Sequence, residues 1–303
     1  MTYIDNLDII GYLNLKIMKA IDIKDAHLQF KKYLIDNKRS SSTIVAYGKD
    51  IEQLVSFLKE LEKNHIHEAT KGDLESFLAK MTKNGYTPKS ISRKLNSTRT
   101  FYRFLKINEY ITDDPSLLVA HPRYQLGAPR ILTPTEYRAL RDAAGKDARM
   151  FAIIELLLQT GIRIGELAAL KLSDIQKSGL HIEAAEKHEE RIVPCNERAK
   201  EALDRYLKIR PKGNSVHLFI TKSGKPFLIR NIRTAVERYF RLAEIKNAKV
   251  NDLRHTFVAH HLKHGVSLVL ISKVLGHKRI STTERYLEYV KERAKENSLL
   301  TEL

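Results

Sequence analysis

Residues 251–286 read NDLRHTFVAHHLKHGVSLVLISKVLGHKRISTTERY. A helix is predicted to begin at the start of this stretch, and the apolar run Leu268–Leu275 predicts a second helix, which Gly276 ends. A third helix is predicted to begin near Ser281, because serine is favoured at the position that precedes a helix. The pattern therefore predicts closely spaced helices in the C-terminal part of the chain.

Three side chains in this stretch, Arg254, His277 and Tyr286, offer chemistry beyond packing. A phenol is a poor nucleophile at its ordinary pKa of about 10, but nearby cations favour the phenolate and make attack on phosphorus feasible. Cations also neutralise the charge that builds on the non-bridging oxygens during such an attack. The combination predicts covalent cleavage of a phosphodiester. Simple packing of Tyr286, with Tyr289 as a second phenol close by in the sequence, is the alternative.

The whole chain is strongly basic, with a formal net charge of +17 over 303 residues. Such an excess points to a polyanionic partner, most commonly nucleic acid, although a basic enzyme or a ribosome-associated protein is the alternative. Cys195 is the only cysteine, which excludes an internal disulfide and a thiolate zinc site. We find no apolar run of membrane-spanning length and no signal-peptide pattern, so we expect a cytoplasmic, nucleoid-associated protein.

Apolar spacing divides the chain into two predicted domains. Residues 1–21 are predicted to be an N-terminal extension, and helical patterns occupy residues 22–121. Residues 122–131 contain two prolines and a glycine, which discourage helix and predict a linker. Residues 132–303 are mostly helical in pattern, with an alternation around residues 180–193 that predicts a β-hairpin. The expected fold is mainly α, with a small antiparallel sheet in the second domain.

The helix predicted to begin at Thr87-Pro88 has charges of a single sign. No acidic residue occurs between Glu75 and Glu109. A solvated helix face usually mixes both signs, so this face is predicted to follow DNA phosphates, with chance surface charge as the alternative. The residues expected to contact DNA are Lys89, Arg93, Lys94, Arg99 and Arg103.

Two more cations are candidates for a phosphate site. Arg163 lies within an apolar stretch, where an arginine is costly unless it is paired or functional. It can form a salt bridge with Glu166, or bind phosphate while Glu166 orients it, and both can hold together. Lys187 is the only lysine in the predicted tip of the hairpin, although a lysine at such a tip is usually only solvated.

The histidines of the C-terminal stretch raise the question of a metal site. His260 and His264 share a helix face, and His255 and His261 are near them in the sequence. No set of acidic partners accompanies these histidines, so no metal is predicted.

Several motifs resemble those of the tyrosine recombinase, or phage integrase, family. TGIRIGEL at residues 160–167 resembles the family's first-arginine motif, NDLRHTF at 251–257 its second-arginine motif, and LGHKRISTTERY at 275–286 its segment from histidine to tyrosine. Residues 40–58 and 87–115 resemble the family's core-binding domain. The resemblance covers about residues 22–295, and the size is similar to that of Xer-type recombinases and compact integrases of mobile elements.

The resemblance implies a SAM-like, helical core-binding domain and a catalytic domain that together clamp double-stranded DNA. It implies that Tyr286 attacks a phosphodiester to give a 3′-phosphotyrosyl link and a free 5′-hydroxyl. Arg163 and Arg254 would hold the non-bridging oxygens, His277 would hydrogen-bond the phosphate, and Lys187 would protonate the leaving oxygen. No cofactor and no metal would be required. A tetramer would assemble on DNA, and the tail at residues 291–303 would dock on a neighbouring subunit, with a frayed terminus as the plain alternative.

One position departs from the family pattern. Asn251 stands where the family usually has a histidine, often with proton-transfer duties. An amide can donate a hydrogen bond to phosphate but cannot titrate. Asn251 therefore keeps a positioning role only, or His255 covers part of the missing role, or turnover is reduced.

Site-specific recombination is the leading hypothesis, either to resolve chromosome dimers or to integrate and excise a mobile element. A DNA-binding protein that kept the fold and lost catalysis is the first alternative, and Asn251 alone supports it. A type IB topoisomerase, which relaxes supercoils as a monomer, is the second.

Overall fold

The structure is a computed structural model that describes residues 21–124, 127–184 and 189–287. The described residues form two compact units, one before and one after residues 125–126. The predicted extension up to residue 20, Lys187 at the hairpin tip and the predicted docking tail at 291–303 lie outside the described residues. The residue bounds proposed above for the domains and the linker stay a prediction.

The first unit is helical. Its α-helices are α1 (Ile23–Asp36), α2 (Ser41–Glu60), α3 (Lys71–Lys83) and α4 (Pro88–Ile107). A short 3₁₀ turn at Ile66–Glu68 lies between α2 and α3, and another at Pro115–Leu118 follows α4. The start of α4 is fixed locally, because the Thr87 hydroxyl accepts from the Ser90 amide and Pro88 occupies the first turn. The core lies between the helices, where the rings of Phe30 and Phe101 meet edge to face at 5.1 Å.

The second unit combines helices with a small sheet. Its α-helices are α5 (Pro134–Ala144), α6 (Ala148–Thr160), α7 (Ile164–Ala169), α8 (Glu197–Ile209), α9 (Ile229–Leu242), α10 (Val250–Lys263) and α11 (Leu268–Leu275), and residues 281–287 are also helical. The strands β1 (Ile175–Gln176), β2 (Gly179–Ile182) and β3 (Arg191–Val193) form an antiparallel sheet in the order β1-β2-β3. The predicted mainly α fold with a small antiparallel sheet is confirmed.

Helix α6 is the central element of the second unit. It is buried along almost its whole length and packs against α8 and α10. The helix ends at Gly161, which has a φ of 63° in the left-handed region that favours glycine. A Cβ at this position would lie 2.5 Å from Cδ1 of Phe257 on α10. Gly161 therefore allows the end of α6 to approach α10 closely, and the candidate site lies at this junction.

Within the described part of the chain, no helix is both long enough and apolar enough to span a membrane. The lone Cys195 packs against the core of the second unit, and burial raises the pKa of its thiol to about 11. The thiol is therefore protonated at neutral pH, and Cys195 packs as a small apolar side chain.

Candidate active site

Of the predicted catalytic residues of the second unit, Arg163 and His277 lie beside the ends of helices, and Arg254 and Tyr286 lie within helices. Arg163 precedes the first turn of α7, directly after the end of α6. Arg254 lies in the first half of α10. His277 follows Gly276, whose φ of 62° ends α11, and Tyr286 lies in the helical residues 281–287. Residues separated widely in the sequence are thus brought to one place by the ends of α6 and α11.

Arg254 forms the centre of the cluster and is only 6% exposed. One terminal nitrogen donates to the carbonyl of Gly161 at 2.6 Å. The other donates to the carbonyl of Leu275 at 2.9 Å and to Nε2 of His277 at 2.9 Å. Burial, with a further contribution from Arg163, lowers the pKa of Arg254 to about 9. The guanidinium is held rigidly and lies in an environment that would favour a nearby anion.

A carboxylate connects two more guanidinium groups to this cluster. Arg163 donates to Glu166 at 2.9 Å and to the Leu275 carbonyl at 3.2 Å, so it shares that oxygen with Arg254. Arg191 on β3 donates to the other carboxylate oxygen of Glu166 at 2.9 Å. Burial by itself would raise the pKa of Glu166, but Arg191 and the amide of Arg163 outweigh it and hold the pKa below its ordinary value. Glu166 therefore remains ionised and orients both arginines.

His277 is held in one tautomer. Because a guanidinium can only donate, Nε2 of His277 must accept from Arg254, and Nδ1 therefore donates to the Thr283 hydroxyl at 2.8 Å. Burial first, and then the charges of Arg254 and Arg163, lower the pKa of His277 to about 4. The imidazole is consequently neutral at physiological pH.

Tyr286 is hydrogen-bonded to a second histidine, His255. Its hydroxyl lies 2.5 Å from Nδ1 of His255, and Asn251 lies 2.8 Å from Nε2 of the same ring. The residue is 7% exposed. Burial raises the pKa of Tyr286, although Arg254 and Arg285 act in the opposite direction. The expectation that surrounding cations make this phenol acidic is therefore wrong for the arrangement described here, because removing the phenol from water outweighs the attraction of the cations.

Two family models match the sequence of this chain. The model of the phage integrase family matches residues 130–293, and the model of the phage integrase N-terminal SAM-like domain matches residues 28–109. The chain belongs to the phage integrase family. This recombinase is a DNA strand-transferring enzyme of the tyrosine recombinase class, as the motifs around Arg163, Arg254 and Tyr286 predicted.

Relatives agree in both sequence and fold. The recombinase is 32% identical over 261 residues to tyrosine recombinase XerC of Thermodesulfovibrio yellowstonii, which covers 82% of this chain and 85% of the relative. It is 30% identical over 281 residues to tyrosine recombinase XerD of Halalkalibacterium halodurans, covering 89% and 93%. A lambda integrase dimer bound to a COC′ core site has the same fold at 17% identity, with a TM-score of 0.73 over 88% of this chain and 77% of that one.

Some features of the site were not found from the sequence. Arg191 lies in the predicted β-hairpin around residues 180–193 and had no predicted role in the site, yet it donates to Glu166 at 2.9 Å and to the Val274 carbonyl at 2.7 Å. The only signal in the sequence was a charged residue on a short predicted strand. In the structure, Arg191 pairs with the buried Ile182 on β2. The described residues, which include the histidines on α10, contain no group of three or more histidine, cysteine, aspartate or glutamate side chains arranged to hold a metal ion.

The prediction that Lys94 contacts DNA is corrected by its burial in the first unit. It is only 1% exposed, and its ammonium donates to Asp50 at 3.0 Å and also to Gln53. The same ammonium lies 4.5 Å from the centre of the Tyr86 ring. A buried and paired ammonium cannot neutralise a phosphate at the surface, so Lys94 belongs to the core of the first unit.

The other members of the set divide into two kinds. Arg93 is partly exposed and forms a salt bridge with Asp50. Arg99 donates to the carbonyls of Ser116 at 3.3 Å and Val119 at 2.7 Å. Lys89 and Arg103, in contrast, are exposed on α4. The exposed pair is the part of the set best placed to meet a partner.

Proposed function

We propose that Tyr286 is the nucleophile that cleaves DNA and that Arg163 and Arg254 hold the phosphodiester it attacks. The observation that carries this proposal is the convergence of both guanidinium groups on one acceptor, the carbonyl of Leu275. Two cations so close together suit the two non-bridging oxygens of a single phosphate, on which charge develops during attack.

The balance of charge supports an anionic ligand. Arg163, Arg191 and Arg254 lie around a single buried carboxylate, that of Glu166. Burying a cation beside another cation is costly, and the pKa of Arg254 is lowered by burial first and by the charge of Arg163 second. A bound phosphodiester would offset the repulsion between the guanidinium groups. The site is therefore arranged to bind an anion before any substrate is present.

His277 has a supporting role in this proposal. In the arrangement described, its Nε2 accepts from Arg254 and so has no proton to give to a phosphate. A nearby anion stabilises the imidazolium, so phosphate binding would raise the pKa of His277 and allow Nε2 to donate. Thr283 would keep the ring in position throughout, because it bonds the opposite nitrogen.

Two further parts of the proposal rest on the resemblance. Lys187, the only lysine of the hairpin tip, would protonate the leaving 5′-oxygen, and the 5′-hydroxyl of a partner strand would then reverse the step. The exposed Lys89 and Arg103 on α4 would bind DNA phosphates through the first unit.

We propose that the recombinase acts as a tetramer on DNA in the cytoplasm. A lambda integrase tetramer bound to a Holliday junction supports the assembly, since its fold matches with a TM-score of 0.72 over 92% of this chain. Asn251 alone supports the binding-only alternative, whereas the motifs that contain Arg163, Arg254, His277 and Tyr286 support catalysis, so we keep catalysis as the proposed function.

A nicked suicide duplex tests the proposed nucleophile. The nick lets the cleaved fragment diffuse away, which traps the phosphotyrosyl adduct as a band that resists denaturation. We expect the adduct with the native recombinase on its cognate site and none with Tyr286→Phe. The matched control is Tyr289→Phe, which removes a neighbouring phenol and is expected to form the adduct.

Two results would contradict the proposal. An adduct that persists in Tyr286→Phe would assign the nucleophile elsewhere. The absence of any adduct with the native protein on a site that it binds would favour the binding-only alternative.

A further inference from the structure

The nucleophile has a neighbour that could take its proton. His255 follows Arg254 on α10, and its half-buried ring lies 5.6 Å, centre to centre, from the ring of Tyr286. Its Nδ1 is 2.5 Å from the Tyr286 hydroxyl, which is hydrogen-bonding distance. Among the described residues, His255 is the hydrogen-bond partner of the Tyr286 hydroxyl. The histidine therefore occupies the position that a general base requires.

We propose that His255 accepts the proton of Tyr286 during cleavage and that Asn251 sets the tautomer of His255 for this purpose. This inference rests on the proposed role of Tyr286 as the nucleophile. It gives Asn251 a function at the place where the sequence departs from the family pattern.

The need for an acceptor follows from the environment of the phenol. Burial raises the pKa of Tyr286 and outweighs Arg254 and Arg285, so the hydroxyl remains protonated at neutral pH. A protonated phenol attacks phosphorus poorly unless its proton leaves as the new bond forms. The arginines therefore bind and orient the phosphate, while a separate base is needed for the proton.

His255 is suited to accept a proton at neutral pH. Burial lowers its pKa, Arg254 and Arg285 lower it further, and Asp252 on α10 raises it. The ring is consequently neutral at physiological pH and can take up one proton. Attack places negative charge on the phosphate next to it, which would stabilise the imidazolium as it forms.

Asn251 determines which nitrogen accepts. Its Nδ2 lies 2.8 Å from Nε2 of His255, and in this orientation the amide donates, so the ring proton is on Nδ1 and points to Tyr286. When the amide turns by half a rotation, Oδ1 accepts from Nε2 and Nδ1 becomes the acceptor. Asparagine offers both groups from one position, whereas a purely accepting or apolar side chain offers one or none.

The step balances in atoms and charge. The Tyr286 oxygen bonds to phosphorus as the bond from phosphorus to the 5′-oxygen breaks, and the phenolic proton moves to Nδ1 of His255. The leaving 5′-oxygen takes a proton from its own donor, proposed to be Lys187. The products are the 3′-phosphotyrosyl ester, a 5′-hydroxyl, an imidazolium and a neutral amine, and strand rejoining returns each proton.

The experiment measures single-turnover cleavage of prebound suicide duplex by His255→Gln. A second duplex replaces the leaving 5′-oxygen with sulfur, a leaving group that departs without a proton. We expect His255→Gln to be slowed about 100-fold on both duplexes, because activation of the nucleophile is needed in each case. Lys187→Ala is expected to be slow on the oxygen duplex and restored on the sulfur duplex.

Substitutions of Asn251 test the tautomer. Asn251→Asp offers only acceptors to Nε2, which favours the tautomer with a free Nδ1 and stabilises imidazolium, so the midpoint of the pH–rate profile should move to higher pH. Asn251→Leu removes both hydrogen-bonding groups and should lower the rate. The matched control is His260→Gln, an exposed histidine of the same helix, which should cleave like the native protein.

The outcomes separate the inference from the proposed function. Native-like cleavage by His255→Gln overturns the inference and leaves Tyr286 as the nucleophile. Rescue of His255→Gln by the sulfur duplex also overturns it, because His255 would then act on the leaving group. A profile unmoved in Asn251→Asp removes the role of Asn251. Only the absence of an adduct with the native protein contradicts the proposed function itself, and DNA binding by each variant confirms that it is folded.

Discussion

The pKa of His277 depends on the burial of its ring and on the charges around it. Its ring is flanked by Arg254 and Arg163, and burial together with these charges lowers its pKa to about 4. In the unfolded chain the same ring titrates near its ordinary value of 6.5. Between about pH 4 and pH 6.5, His277 is therefore mostly neutral in the folded protein and mostly protonated in the unfolded chain.

The sign of the resulting pH dependence can be stated. Between pH 6.5 and about pH 4 the unfolded chain binds more protons, so the free energy of unfolding falls as the pH is lowered through this window. We expect His277→Gln to lose part of this fall, because glutamine does not titrate. Urea unfolding at a series of pH values, compared between native protein and variant, measures the difference. Identical slopes for the two proteins would show that His277 does not titrate in this way.

Residue types in a short motif carried most of the prediction of the site. Arg163, Arg254, His277 and Tyr286 were named from spacing and resemblance, and the structure brings the first three into one hydrogen-bonded cluster. The pKa of Tyr286 was not predictable in the same way, because a sequence indicates which charges are near but not how much water remains.

At the scale of elements, the contact between α2 and α4 explains why the predicted basic face was only partly right. Asp50 on α2 is 2% exposed and accepts from Lys94, Arg93 and the Ser97 hydroxyl, all on α4. The window between Glu75 and Glu109 contains no acidic residue, so the partner of these cations could not be seen there. Periodicity predicted the helix correctly, but the pairing between helices depends on tertiary structure.

This buried cluster makes a testable contribution to stability. Asp50→Ala removes the carboxylate and leaves the Lys94 ammonium buried, which is expected to cost about 3–5 kcal/mol of unfolding free energy. The double variant Asp50→Leu with Lys94→Met should recover much of that loss. Urea unfolding followed by circular dichroism is the appropriate measurement, since the chain has no tryptophan.

The matched control for Asp50 is an exposed ion pair of the same unit. Lys80 bonds Glu60, and their side chains are 40% and 59% exposed. Lys80→Met should change the free energy of unfolding by at most about 1 kcal/mol. An effect of Asp50→Ala no larger than this control would mean that the cluster is not needed for stability.

At the scale of the whole molecule, the net charge of +17 predicts how DNA binding responds to salt. Binding should weaken steeply as salt is raised, because each neutralised phosphate releases counterions. Lys89→Met and Arg103→Met should each reduce the slope of log affinity against log salt by about 1. Fluorescence anisotropy with a labelled duplex measures this slope.

Lys32 provides the comparison for this measurement. It is an exposed cation on α1 that was not predicted to contact DNA. If Lys32→Met lowered the slope as much as Lys89→Met, the effect would be one of general charge and not of a DNA-contacting face on α4.

The two hydrogen bonds that Arg254 makes to main-chain oxygens have a consequence for variation. The carbonyls of Gly161 and Leu275 belong to the polypeptide itself, so no exchange of side chains deletes either acceptor. Neighbouring positions can drift in identity provided that the chain keeps its path. Divergent homologues can thus hold the same guanidinium in place although few of the surrounding residues are identical. In a saturation mutagenesis screen, loss of these two hydrogen bonds would come mainly from substitutions that change the backbone path.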